Sequence, residues 1–363
     1  MDATRSLFIS LVAVLVGFGL LVVHSASVTS WPTESEQVYL SRHAAFVLLG
    51  SLIAAGCSQV SASRWRYLSP WLLLVTVLVL ALVLVPGVGV RVNGARRWLR
   101  FGSLSFQPSE LAKITLPLLL ASLATVKREW LDHWVYGTSP FILPIGCVSG
   151  LVLVEPDLGT AIFLLTGGVV CLFLAGWPIR YFLAITLFGG LTLGAGVGLK
   201  PYQFERISGF MKAWSDFDSA PYQLKQSVMT LGAGGVNGVG IGKGWQKLSF
   251  LPEANTDFVI AVVGEELGLI GTLGLAAVWT GVLLCGFRLV NRCEPTSFSA
   301  IAGKTLLVQL VLQAALNVAV VTAMVPPKGI THPLVSYGGS NLVCSLISIG
   351  IILGLTKPAA KLT

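Results

Sequence analysis

Long apolar runs separated by short polar segments set the plan of this chain. LVAVLVGFGLLVV (11–23) and LLLVTVLVLALVLV (72–85) are more continuously apolar than a soluble core requires. About 20 such residues cross a bilayer as a helix, whose backbone bonds are all internal. The pattern predicts ten spans, at 5–25, 43–61, 69–89, 108–126, 140–155, 159–178, 181–199, 257–285, 300–325 and 340–357. The expected class is therefore an all-α polytopic membrane protein, with about ten transmembrane helices in one bundle. Residues 1–363 read as a single membrane domain, with a large external loop at 200–256 between helices 7 and 8. That loop carries Trp214, Phe217, Tyr222, Trp245 and Phe250, too aromatic for a disordered tether.

Composition agrees: 54% of residues are hydrophobic and 11% charged. The formal net charge of +8 raises a nucleic-acid reading, but the cations are scattered beside apolar runs, which fits membrane orientation instead. Arg5, Arg64, Arg66, Lys127, Arg128, Arg180, Arg288, Arg292, Lys304, Lys357 and Lys361 fall on the N-terminal face. The positive-inside rule makes that face, and both termini, cytoplasmic. The first apolar run, after Arg5, reads as a retained signal anchor. The six cysteines (57, 147, 171, 285, 293 and 344) lie in apolar runs except Cys293, without metal-ligand spacing.

Against this background the acids stand out. LPEANTDFVIAVVGEELG (251–268) opens a span yet holds Glu253, Asp257, Glu265 and Glu266. Asn255 or Thr256 can cap that helix, which would place Asp257 in its first turn, where the helix dipole favours the ionised form. Helix punctuation is the plainer role for the same residue. Glu265 and Glu266 follow about 12–13.5 Å further along the axis, and are expected to pair with a cation or with polar backbone. Gly264 and Gly268 form a small-xxx-small face beside them.

Other polar segments flank the same expected outer face. RVNGARRWLRFGSLSFQPSE (91–110) carries four arginines, among them Arg96, Arg97 and Arg100, which suggests an anionic ligand or headgroup contact. In QPSELAK (107–113), Glu110 and Lys113 are i,i+3 neighbours, equally suited to a structural pair or to a polar cavity. EPDLGT (155–160) breaks a helix and exposes Asp157, as ligand group or simple turn former. PPKGITHPLVSYGGSN (326–341) imposes a non-helical re-entry carrying Lys328, His332, Ser336 and Tyr337. LGAGGVNGVGIGKG (231–244) lacks the strand–loop–helix context of a nucleotide site, so its glycines are read as allowing close backbone approach or a mobile loop. Such convergence suits an enzyme acting on an outward-facing lipid-linked substrate. A transporter would carry polar groups and broken helices towards the midplane.

YQLKQS (222–227), the glycine run, LPEANTDF, GEELG, QPSELAK, EPDLGT and PPKGITHPLVSYGGS together resemble the SEDS family, the FtsW and RodA group. PPKG and QKLSFLPEA are more similar to its cell-division (FtsW) branch. The resemblance implies a peptidoglycan glycosyltransferase of the bacterial inner membrane that polymerises lipid II, with its active site facing the periplasm. A lipid II flippase, or a non-catalytic scaffold for a penicillin-binding transpeptidase, are the alternatives it leaves. It implies Asp257 as the catalytic group. Substrate-binding positions would be Arg96, Arg97, Arg100, Glu110, Lys113, Asp157, Gln226, Thr256, Lys328 and Ser336. A divalent cation, Mg or Mn, could share the charge of the pyrophosphate; no organic cofactor is implied. The implied partners are a class B penicillin-binding transpeptidase and other division-complex membrane proteins, with no nucleic acid. The family commonly has His where this chain has Asn255, and SYGGSS where it has SYGGSN.

Overall fold

A computed structural model describes residues 2–27, 34–92, 94–102, 104–131, 133–183, 208–212, 216–217, 220–248, 250–326 and 328–357. The helices are α1 (Ala3–Ser27), α2 (Glu34–Cys57), α3 (Ala62–Leu84), α4 (Pro108–Val126), α5 (Trp134–Val154) and α6 (Leu158–Leu174). After them come α7 (Tyr222–Gly234), α8 (Val259–Val290), α9 (Phe298–Val321) and α10 (Gly339–Leu355). Among the described residues seven helices are long and apolar enough to cross a membrane, and α6 and α10 are shorter apolar helices. The expected seventh span lies outside the described residues beyond position 183, as do Lys200, Arg206, Trp214 and Lys361.

Local chemistry sets the helix ends. Ser61 and Ser297 cap α3 and α9 by accepting from the N–H groups of Arg64 and Ala300, and Pro108 opens α4 where its missing N–H costs nothing. The fourth predicted span matches α4, whereas α2 begins well before its predicted start because Glu34 and its polar neighbours continue the helix. The centre of the bundle is α4, which packs against α3, α5, α6, α9 and α10, while α2 lies along α10 and α1 along α8. Asp2 pairs with Arg292, and the Cys293 thiol approaches the carbonyl of Leu355, so both ends of the described chain sit at one end of the bundle.

At the opposite end the all-helical expectation meets an exception. Residues 89–106 form an antiparallel sheet, β1 (Gly89–Val92), β2 (Ala95–Phe101) and β3 (Leu104–Phe106). Val92 pairs with Ala95, and the Asn-Gly dipeptide between them in RVNGARRW is the sequence signal for a two-residue hairpin connection. The segment is a hairpin because alternate β2 residues, Ala95 and Leu99, are buried.

A second departure is in α8, predicted as an unbroken span. It is broken at Gly268 (φ +64°, ψ −161°). The glycine run after α7 fills the break. Val239 and Gly240 N–H donate to the carbonyls of Glu265 and Glu266, at 3.0 and 2.9 Å. Leu269 and Ile270 N–H donate to Gly235 and Val236, at 3.0 and 3.2 Å. Such close contact needs bare backbone: a Cβ on Gly238 would lie 2.2 Å from the Glu266 carbonyl oxygen, and one on Gly268 2.4 Å from the Gly238 nitrogen. Of the two sequence readings, close approach is what the described backbone displays.

Glu265 and Glu266 fasten the same junction. Glu265 Oε1 accepts from the N–H groups of Trp245 and Gln246, at 2.8 and 3.1 Å. Glu266 takes the buried Lys247 ammonium at 2.5 Å and the Ser25 hydroxyl at 2.7 Å. Ser25 belongs to the last turn of α1, so this break lies at the sheet-bearing end and not at the bundle's middle. The break is therefore not where a transporter would place one, and its freed groups are satisfied by protein backbone.

Gly268→Ala should lower the thermal midpoint of the purified protein in detergent by several degrees, because the new Cβ meets backbone and φ is positive. Gly242→Ala, also at positive φ but facing open space, should lower it less; equal losses would show that strain rather than packing dominates.

Candidate active site

Asp257 lies just before α8, in a turn that runs from Pro252 to Phe258. The expectation that Asn255 or Thr256 caps the helix is corrected: Phe258 occupies the cap position without a side-chain bond. Glu253, at φ +56°, holds the turn instead, its carbonyl accepting from the N–H groups of Thr256 and Phe258. The Thr256 hydroxyl donates to Glu253 Oε2 at 2.7 Å. Asp257 is therefore two residues before the first residue of α8, half-buried, with its carbonyl held by Asn317 Nδ2 at 2.7 Å.

The re-entrant segment 328–338 closes over this turn. Asn317 Nδ2 also donates to the Ile330 carbonyl at 2.6 Å, and Gln313 Nε2 to that of Thr331 at 2.9 Å. Tyr337 N–H donates to the Asn255 carbonyl at 2.9 Å. Gly329 sits against the carboxylate, since a Cβ there would come 2.9 Å from Asp257 Oδ2. Lys328 in turn packs beside Gly159, close to Asp157. Deeper in, Trp279 Nε1 donates to His332 Nε2 at 2.9 Å, and Ser336 Oγ accepts from the His332 N–H at 2.8 Å. Ser336 is thus a buried brace of the loop.

Of the three β2 arginines, Arg97 alone bonds the α5–α6 turn. Its guanidinium donates to the carbonyl of Pro156 at 2.6 Å and lies 3.5 Å from Asp157 Oδ2. Arg96 stands opposite Arg91, and the exposed Arg100 opposite Ser105. Asp157 also caps α6 by accepting from Thr160 N–H at 3.1 Å. Next to it Glu155 is fully buried, and neither carboxyl oxygen has a hydrogen-bond partner among the described residues. Burial and, after it, the neighbouring Asp157 carboxylate push its carboxyl up to about 8 against the opposing pull of Arg97.

Below this mouth lies a second polar set. Lys113 Nζ donates to Glu110 Oε1 at 2.7 Å and to Gln313 Oε1 at 3.1 Å, and Asn341 Nδ2 donates to Glu110 Oε2 at 3.1 Å. Glu110, Lys113, Gln309 and Gln313 line a cavity of about 20 Å³, room for roughly one water. The two readings of Glu110 and Lys113 therefore meet, since the pair both neutralises itself and lines a cavity. Gln226 sits apart on α7, whose next residue, Ser227, donates to the Val321 carbonyl at 2.8 Å. Sequence reasoning passed over Gln309, Gln313 and Asn317, although three amides four residues apart on one apolar helix were a readable signal.

A family model described as a cell cycle protein, FTSW_RODA_SPOVE, matches residues 5–361. The chain belongs to this family. A relative from Geobacter sp. (strain M18), named "Probable peptidoglycan glycosyltransferase FtsW", is 35% identical over 94% of each chain. One of the same name from Coxiella burnetii is 38% identical over 93% of this chain and 92% of its own. Among solved structures, a chain described under "Structural coordination of polymerization and crosslinking by a peptidoglycan synthase complex" superposes with a TM-score of 0.81. It is 32% identical and covers 96% of both chains. RodA of Thermus thermophilus, a rod shape determining protein, gives 0.71 at 31% identity, over 96% of this chain and 95% of its own. This FtsW/RodA/SpoVE family member is a multi-pass membrane protein.

Two measurements test the polar sets. Lys113→Met alone should cost about 3 kcal/mol, because it strands a buried carboxylate, and Glu110→Leu/Lys113→Met should lose less; thermal unfolding in detergent would show additive losses if the groups act independently. Glu155, with its folded pKa raised, favours the fold below pH 4.5, and that contribution falls away as pH rises to about 8. Glu155→Gln should therefore stabilise the protein at pH 8 and leave it unchanged at pH 4. A parallel melting-against-pH curve for the two proteins would contradict this.

Proposed function

We propose that this protein polymerises lipid II at the outer leaflet of the bacterial cytoplasmic membrane during cell division, with its described ends in the cytoplasm and Asp257 facing the periplasm. The observation that carries this reading is the placing of Asp257. Its backbone carbonyl is held by Asn317 and its carboxylate lies against Gly329, at the same end as the Arg97–Asp157 pair and Lys328.

Chain growth joins the 4-hydroxyl of one sugar to the anomeric carbon of another, and breaks the bond from that carbon to undecaprenyl pyrophosphate. The α-linked donor becomes a β-linked product, so the step is inverting and needs a base on the face opposite the leaving group. Asp257 takes the hydroxyl proton as the new bond forms. Arg97 and Lys328 meet the charge that develops on the departing pyrophosphate. Thr256 steadies the turn, and Asp157 holds Arg97 in place. Arg96 and Arg100 attract the anionic lipid from the outer face of the sheet. Among the described residues no group of three His, Cys, Asp or Glu side chains comes together. That donor set does not fit a divalent ion held by protein ligands alone, so Mg or Mn would depend on the substrate's phosphates.

A class B penicillin-binding transpeptidase is the proposed partner, in keeping with the synthase complex to which the fold is similar. The buried Glu110–Lys113–Gln313 set favours a second reading, lipid II transport, since polar groups within a bundle also line passages.

Purified protein with its transpeptidase should convert lipid II to polymer, and Asp257→Ala should slow this at least about 100-fold, the scale of a lost general base. Asp257→Asn should slow it similarly; full turnover by that variant would remove proton acceptance from this residue. Lipid II movement across proteoliposomes without any polymer would support the transport reading instead.

A further inference from the structure

At the end of the bundle away from the sheet, a cleft of about 880 Å³ opens between the start of α3, the end of α4 and the α8–α9 turn. The proposed polymerisation makes no use of it. Arg66 and Arg128 line it, both exposed, and neither guanidinium has an ion-pair partner among the described residues. One carboxylate, Glu294, shares the lining and accepts from the Thr296 hydroxyl at 3.1 Å. Two guanidinium groups against one carboxylate leave the cleft cationic.

The surrounding backbone adds to that charge. Ser63 of α3 and Ser299 of α9 lie in the first turns of helices 23 and 24 residues long, and both line the cleft. Each such N-terminus presents roughly half a positive charge. Ser122 provides an independent sign of a ligand. It is only 8% exposed, lines the cleft, and its hydroxyl forms no hydrogen bond with any described residue.

Tyr67 and Trp71 line one side, 74% and 60% exposed. From Trp71 an exposed apolar line continues up α3 through Leu74, Leu78 and Leu82. Aromatic residues of this kind mark the boundary between headgroups and acyl chains. The volume suits an organic headgroup better than a bare inorganic ion.

We infer that this cleft binds the headgroup of an anionic diacyl phospholipid, with its phosphate between Arg66 and Arg128 and an acyl chain along α3. The site is separate from the Asp257 mouth, at the other end of the helices, and stands whether or not the polymerase reading holds.

Full-length protein in mild detergent, titrated with dioleoyl-phosphatidylglycerol or dioleoyl-phosphatidylcholine and read by native mass spectrometry, tests it. The wild type should retain the anionic lipid with at least about tenfold preference, taking each cation near the lipid surface as worth roughly fivefold. Arg66→Gln/Arg128→Gln should reduce that preference to near parity without changing the melting temperature of the lipid-free protein. Arg64→Gln, an exposed cation outside the cleft, should leave the preference intact. Equal retention of both lipids by the wild type, or undiminished preference in the double variant, would overturn the site. Displacement of phosphatidylglycerol by glycerol phosphate at comparable concentration would reassign it to a soluble phosphate and overturn the lipid; persistence of the lipid supports it.

Discussion

The break in α8 is the constraint on which the described outer end depends. A helix interrupted at Gly268 leaves carbonyls and N–H groups without their usual partners, and in a bilayer protein these must be met by protein. Four backbone hydrogen bonds from residues 235, 236, 239 and 240 meet them. In doing so they fix the segment after α7 against α8, and the buried Lys247–Glu266 pair ties it to Ser25 of α1. Because Glu265 holds the N–H groups of Trp245 and Gln246, the chain is directed back towards the turn that carries Asp257.

The Asp257 turn then receives its other wall from α9. Asn317 bridges two carbonyls, of Asp257 and of Ile330, and so joins the start of α8 to the re-entrant segment. Gln313, one turn further in, donates to the Thr331 carbonyl and accepts from the Lys113 ammonium. A single helix face thus links the mouth to the interior Glu110–Lys113 pair. Any displacement of α9 would alter both at once.

Much of this was legible in one sequence. The apolar runs gave nearly every described helix, and the spacing within LPEANTDFVIAVVGEELG separated Asp257 from Glu265 and Glu266. EPDLGT and PPKG read as interruptions of helix, and the Arg-rich segment as a basic external connection. What escaped was how backbone would pair across distance. Asn-Gly in RVNGARRW carried a hairpin signal that the surrounding spans obscured. The break at Gly268 carried no local signal, because GEELGLIG is an acceptable helix until the glycine run is placed beside it.

The division has a physical reason. Solvent preference is a property of each side chain, so the sequence determined which segments lie in the membrane, and with its motifs the family and the acid put forward for the chemistry. Pairing is a property of two segments. Only the tertiary structure decided that Arg97 and not Arg96 or Arg100 meets Asp157, that Lys247 neutralises Glu266, and that Ser336 braces His332. These contacts join residues from separate elements, or select one of several equivalent arginines, and their energies exist only once the bundle has brought both partners together.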